Sequence, residues 1–299
     1  MVRMSLAIDT TELTVTGPLD VAGLLAFLAA RAVPGVEEVA GSTYRRAVTL
    51  PRVAPGPAVA GVAGGPAVLE LSVATGGPVT CALRSADPLD PADAAAEAVR
   101  LGRAVLALHH DAAAADAALA ADPLLADLVS ARPGARVPGT ADPGEIALRA
   151  VLGQQVSVAA ARTVAARLSA AHGEPLPEPA GTVTHGFAAP AALAELAPEE
   201  LPMPRARARA LIALAAALAG GLDPRDREAL LALGGIGPWT ADYVAMRCGD
   251  PDVLLETDLG VLRGLRRLGH PADPSWLRRH AERWRPWRST AVVHLWSAA

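Results

Sequence analysis

The stretch Asp226–Gly260, DREALLALGGIGPWTADYVAMRCGDPDVLLETDLG, leaves this chain few options. A helix runs from Asp226 to Leu233, with Leu230, Leu231 and Leu233 apolar. Gly234-Gly235-Ile236-Gly237 stops it, because glycine supplies the positive φ that a tight turn needs and a helix cannot use. Pro238 then falls at a helix start, where no N–H is required. The second helix carries Trp239, Tyr243 and Met246 at helical spacing. A turn of this kind directs several backbone N–H groups outward beside a helix N-terminus, which suits a phosphate. Gly235, Ile236, Gly237 and Thr240 are the candidates for that contact. A loop next delivers Thr257-Asp258 to the head of LGVLRGLRRLG. Thr257-Asp258 satisfies the chemistry of a helix N-cap.

The rest of the chain divides in two by pattern. Residues 1–88 read as an antiparallel sheet domain with helix packed on it. Glu12–Gly17 alternates like a strand. Asp20 caps a helix over Val21–Ala32 whose apolar side holds Leu24, Leu25, Phe27 and Leu28. Val36–Val39, Tyr44–Leu50, Val59–Val62, Val68–Val73 and Val79–Leu83 follow as strands between Pro/Gly pairs. From Pro91 the pattern is helical: Ala92–His109, Asp111–Ala120, Pro123–Ala131, two helices within Glu145–His172, Ala191–Leu196 and Arg205–Ala219 precede the hairpin. Pro274–Trp284 and Ser289–Ser297 close the chain. Pro175–Pro190 reads as an exposed connector. The fold class is α+β. Residues 89–110 with 250–299 form one expected helical subdomain, and 111–249 a second that carries the hairpin.

Composition excludes several chemistries. Two cysteines, Cys81 and Cys248, cannot make a four-Cys zinc or iron–sulfur site. No histidine pair has metal-ligand spacing with a carboxylate nearby. No run of about 18 apolar residues exists, and the opening MVRMSLAIDTTEL has no signal-type apolar core. A cytoplasmic monomer is the expectation. The sequence has no lysine, so all 27 basic residues counted as Lys+Arg are arginine. Net charge is −4, yet Leu259–Ala299 holds eight Arg against two acidic residues, while Ser85–Ser130 holds two Arg against eight. A basic end beside the hairpin suits a polyanion.

Hairpin and spaced Asp together resemble the helix-hairpin-helix plus Gly/Pro/Asp signature of the base-excision DNA glycosylases. FLAARAV (27–33), VLGQQVS (151–157), MPRAR (203–207) and AERWRPWR (281–288) with HLW (294–296) are similar to one branch, 3-methyladenine DNA glycosylase II, the bacterial AlkA type. The resemblance covers most of the chain. It implies a helix-hairpin-helix core of two subdomains behind the sheet domain, acting on double-stranded DNA with alkylated bases. It places Asp258 at the family's catalytic aspartate, where a carboxylate stabilises the oxocarbenium-like sugar and orients water. It places Phe27, Trp239, Tyr243 and Trp296 in the pocket for the flipped base, where aromatic faces attract a cationic purine. The family's wedge position is Gln155 here, an amide rather than leucine. A pocket aromatic of the family is Ser297 here, which predicts a more open or more polar wall.

The resemblance further implies no cofactor for chemistry and a structural Na+ or K+ on the carbonyls of Leu231, Leu233 and Ile236. Glycosylases that also cut the backbone form a Schiff base, usually from lysine; a chain without lysine is expected to remove the base and stop. No fused transcription-factor segment is read in this chain. Two other readings compete: a hairpin that only binds DNA, for which Asp258 is dispensable, and a related glycosylase for deaminated or oxidised bases.

Overall fold

The computed structural model describes residues 10–50, 65–85 and 90–299. The first unit comprises β1 (Thr11–Leu13), α1 (Val21–Arg31), β2 (Glu37–Ala40), β3 (Thr43–Thr49), β4 (Pro66–Val73) and β5 (Val79–Ser85). The strands form one antiparallel sheet in the order β1-β5-β4-β3-β2. The strand predicted at Val59–Val62 lies outside the described residues. Central β4 buries Ala67, Val68, Leu69, Leu71 and Val73. Arg45 stands directly across from Glu38 and Glu70 in the register. It reaches both, at 2.6 and 2.5 Å, a cross-strand charge triplet on the sheet surface. Asp20 caps α1 by accepting the Gly23 N–H at 2.9 Å.

Helices follow: α2 (Pro91–Val105), α3 (Ala112–Ala120), α4 (Ala126–Ala131), α5 (Pro143–Leu152) and α6 (Val158–His172). The single helix predicted over Ala92–His109 ends at Val105, because Ala107 turns to φ 49°. The expected connector Pro175–Pro190 is instead partly ordered as a ribbon, β6 (Pro175–Ala180) and β7 (Val183–His185). Its Leu176, Ala180 and Val183 are buried against the helical core, apolar positions that the Pro/Gly/Thr composition conceals. Then come α7 (Pro190–Ala194), α8 (Arg205–Ala219), α9 (Arg227–Leu231), α10 (Pro238–Arg247), α11 (Leu259–Arg267), α12 (Pro274–His280), a 3-10 turn at Ala281–Trp284, and α13 (Arg288–Ser297).

Packing separates three apolar cores. One lies between the sheet, α1 and α2, with Leu69, Leu71, Leu101 and Leu106 at its centre. The second joins α5, α6, α8, α9 and α10. The third joins Leu119, Leu125 and Val129 of the α3–α4 segment to Leu265, Leu277, Trp284 and Leu295. Helix α2 packs its buried face on the sheet. Residues of the α3–α4 segment share a core with the C-terminal helices. Burial across distant segments drives both contacts, and local pattern carries no record of it.

A buried ion cluster joins the sheet to α5. Arg46 on β3, 3% exposed, bonds Glu145. Arg149 reaches Glu37 on β2 and Glu145, each at 2.8 Å. Tyr44 donates to Glu37 at 2.5 Å. Arg149 also donates to the Arg31 carbonyl at the end of α1. The cluster thus sets how α1 meets the helical core.

Helices α11 and α13 pack closely at Gly264, where an added Cβ would lie 2.1 Å from the Leu295 carbonyl oxygen. That approach brings Trp296 beside the start of α11. Gly264→Ala is expected to force the helices apart and cost about 1–3 kcal/mol. Urea unfolding measures it; an unchanged midpoint would show that the pair can slide.

Candidate active site

The hairpin forms as the sequence dictates. Asp226 caps α9 through the Ala229 N–H at 3.0 Å. Of the turn glycines, only Gly235 takes positive φ, 87°. Gly237 is the N-cap of α10, and Pro238 its first residue. The Ile236 N–H bonds Leu233 O at 3.2 Å and the Thr240 N–H bonds Gly237 O at 3.0 Å, so both serve the turn itself. The Thr240 side chain is buried and bonded to Gln154 Nε2 at 3.0 Å. Among the described residues no acceptor meets the N–H of Gly235 or Gly237. These two N–H groups take no part in the hydrogen bonds that close the turn.

Gln154 pins the next segment to the hairpin. Its Nε2 also donates to Gly235 O at 3.0 Å, and Arg207 donates to Gln154 O at 2.6 Å. This tether presents Gln155, exposed and at φ 58°, on the rim. A left-handed residue without glycine is uncommon and costs about 1 kcal/mol or more. Leu259, 74% exposed, stands beside Asp258 in the same cleft lining.

The cleft between these rims has a volume of about 1260 Å³ and includes Asp258, Trp239, Tyr243, Trp296, Arg31 and Arg247 in its lining. Asp258 is itself the N-cap of α11, through Val261 N–H to Oδ1 at 3.0 Å; Thr257 does not take that role. The same Oδ1 accepts the Trp296 indole N–H at 2.8 Å, and Oδ2 accepts the Trp239 indole N–H at 3.1 Å. Three donors thus fix the carboxylate, and the two indoles come from α10 and α13, on opposite sides. Capping and facing the cleft are one geometry here, not alternatives.

The aromatic set assembles in two stacks. Trp239 lies on Tyr243 with centroids 5.3 Å apart at 10°. Phe27 meets Trp296 at 6.3 Å and 29°. Phe27 is half-buried, with the Arg31 guanidinium 3.7 Å from its centroid. Arg247 is 5.0 Å from Phe27 and donates to the Tyr243 hydroxyl at 3.0 Å. The sequence reading missed both arginines. Helical spacing held the signal, since Arg31 is four residues after Phe27 and Arg247 four after Tyr243. Burial raises the Tyr243 pKa, but the charges of Arg247 and Arg31 and the Arg247 hydrogen bond outweigh it and bring it down to about 8. Ser297 is exposed and donates back to His294 O at 2.6 Å.

Basic residues near the site differ in freedom. Arg278, Arg285 and Arg288 pair with Glu256 and Asp252. Arg263, Arg266 and Arg267 on α11 are exposed and have no ion-pair partner among the described residues. The basic field therefore sits on the helix that Asp258 begins. Trp284 is fully buried and donates to Asp122 at 2.7 Å, a core role. Among the described residues no group of three or more His, Cys, Asp or Glu side chains is placed to hold a metal. No helix among them is long and apolar enough to cross a membrane.

Sheet domain, hairpin and a carboxylate behind it define a helix-hairpin-helix base excision repair protein. Residues 148–289 match the HhH-GPD superfamily base excision DNA repair protein family, and residues 10–142 match the AlkA N-terminal domain. DNA-3-methyladenine glycosylase 2 of Escherichia coli (strain K12) is 36% identical over 93% of this chain and 94% of its own length. The chain belongs to that family. A probable bifunctional transcriptional activator/DNA repair enzyme AlkA of Mycobacterium tuberculosis is 43% identical over 96% of this chain. The chain spans 56% of the length of that relative. Among solved structures, 3-methyladenine DNA-glycosylase from Archaeoglobus fulgidus has the same fold, with a TM-score of 0.76 over 96% of both chains at 21% identity.

Proposed function

We propose that this protein hydrolyses the N-glycosidic bond of alkylated bases in double-stranded DNA, 3-methyladenine and 7-methylguanine among them. The observation that carries the reading is the Asp258 carboxylate, held in the cleft by the Trp239 and Trp296 indoles. A hairpin used only to bind DNA has no need of such a fixed negative charge. The duplex backbone docks on Gly235, Gly237 and the free arginines of α11, and the damaged nucleotide swings into the cleft. Asp258 then faces C1′ as positive charge develops there, and takes the proton of the attacking water. Indole and phenol faces hold the base. The Gln155 amide enters the gap in the stack and hydrogen-bonds the orphaned partner base.

The chemistry needs no cofactor. A sodium or potassium ion fits the hairpin by donor type: the carbonyls of Leu231 and Ile236 accept no hydrogen bond among the described residues, whereas Leu233 O already accepts from Ile236. Such an ion would neutralise carbonyl dipoles next to the phosphate contact. With no lysine in the 299 residues, no lysine Schiff base forms, and the product is an intact strand with a missing base.

The test is mass spectrometry of bases freed from methylated duplex DNA. Release of 3-methyladenine and 7-methylguanine, with no strand cleavage until alkali is added, is expected. Absence of any released base would overturn the assignment.

A further inference from the structure

Two acids line the cleft, the Asp258 carboxyl and the Tyr243 phenol. The first serves the sugar. The second is built with equal care. Arg247 donates to the Tyr243 oxygen at 3.0 Å and is itself anchored by Pro138 O at 2.6 Å and Gly139 O at 2.9 Å. Arg31, over the Phe27 face, adds a second positive charge. Trp239 covers one face of the phenol. No described residue accepts the Tyr243 O–H, so its hydrogen is free for whatever enters the cleft. Aromatic stacking alone needs none of this. A phenylalanine would stack as well, and two guanidiniums repel a cationic base.

Damaged bases differ in what they ask of a pocket. A base carrying positive charge, such as 3-methyladenine, leaves its sugar as a neutral molecule. A neutral base, such as hypoxanthine, leaves as an anion unless a proton reaches it during bond cleavage.

We propose that the Tyr243 hydroxyl is the acid that protonates a neutral base as it leaves, in addition to the removal of cationic bases. This rests on the glycosylase reading above. In the step, the C1′–N bond breaks and its electron pair stays on the base. The phenol proton passes to a ring nitrogen of that base. The phenolate is held by Arg247 and Arg31. Water adds at C1′ and gives its proton to Asp258, which releases it to solvent, and the phenolate regains a proton from solvent once the base departs. The groups facing Tyr243 are Arg247 on its own helix, Arg31 from α1, Arg149 from α5 with Glu37 and Glu145 behind it, and Asp258 at the head of α11. The arginines bring its pKa to about 8, close to working pH, where a general acid is most effective.

The acid form is needed, so release of a neutral base should be level below pH 8 and fall about tenfold per unit above it. Release of 3-methyladenine should lack that limb. Single-turnover rates on a methylated duplex and on a deoxyinosine duplex, for wild type and Tyr243→Phe, test this. The variant is expected to lose hypoxanthine release about 10²-fold more than it loses 3-methyladenine release, because the phenyl ring keeps the stacking face for both bases. Arg31→Gln should move the alkaline limb upward, toward the ordinary tyrosine value near 10. Equal loss on both substrates in Tyr243→Phe overturns the proposal. So does a hypoxanthine rate without an alkaline limb, or a wild type that frees 3-methyladenine but no hypoxanthine. A wild type that frees neither base refutes the glycosylase reading itself.

Discussion

Asp258→Asn is expected to lower base release at least about 10³-fold while duplex binding changes less than about threefold. The neutral amide removes the charge that stabilises the oxocarbenium-like sugar and cannot take a proton from water. Its geometry also suffers in a defined way. Oδ1 can keep its bonds from Val261 N–H and the Trp296 indole. The amide nitrogen then replaces Oδ2 and meets the Trp239 indole N–H, a donor against a donor. One lost bond of this kind costs about 1–3 kcal/mol, so a modest drop in stability should accompany the activity loss. Binding is preserved because Gly235, Gly237 and the α11 arginines are untouched. Single-turnover release and a duplex binding titration at fixed salt measure the two effects. An Asn variant with wild-type release would remove Asp258 from the mechanism.

Glu145→Ala should be the most damaging single change far from the cleft. It leaves buried Arg46 without its closest partner and takes one of two carboxylates from Arg149. Breaking a buried pair in this way costs about 3–5 kcal/mol, because an uncompensated charge stays inside. Urea unfolding at neutral pH reads the loss, and a value under about 1 kcal/mol would mean that water reaches the cluster. Acid should expose the same joint. Burial raises the Glu37 pKa, but the Arg149 and Arg46 charges prevail and hold it at about 2 against an ordinary 4.5. Its stabilising effect is therefore complete above about 4.5 and disappears as pH falls through 2. The wild-type urea midpoint should drop across that window more than that of Glu37→Gln. Parallel curves would show that Glu37 contributes nothing to acid sensitivity.

The parts of the candidate site that are local show in the sequence. The hairpin announces itself through LGGIGPW, where glycines end one helix and proline opens the next. Asp258 is singled out by the resemblance to the glycosylase family, since by itself Thr257-Asp258 reads as a helix cap. The strands of the first unit were found from period-two apolar pattern between Pro/Gly breaks. What escaped was set by partners far away in the chain. Ile236 and Thr240 look equal to Gly235 and Gly237 in sequence, yet their N–H groups close the turn. Arg31 stands over the Phe27 ring and Phe27 meets Trp296, contacts between α1 and α13 that the sequence does not show. The β6–β7 ribbon was hidden by its composition, and its apolar residues make sense only against the core they cover.

The sequence by itself determined the hairpin, the carboxylate after it, the α+β class and the absence of a lysine amine. Each of these is a matter of residue type at short spacing, which backbone sterics and side-chain chemistry resolve locally. Tertiary structure alone decided that Asp258 caps its helix while two indoles from distant helices grip its oxygens. It alone decided that Arg31 and Arg247 converge on the Tyr243 side of the cleft, 216 positions apart in a chain of 299 residues. Such convergence follows from side chains of α1, α10 and α13 meeting at one cleft. Packing brings those side chains together over distances that no local pattern encodes.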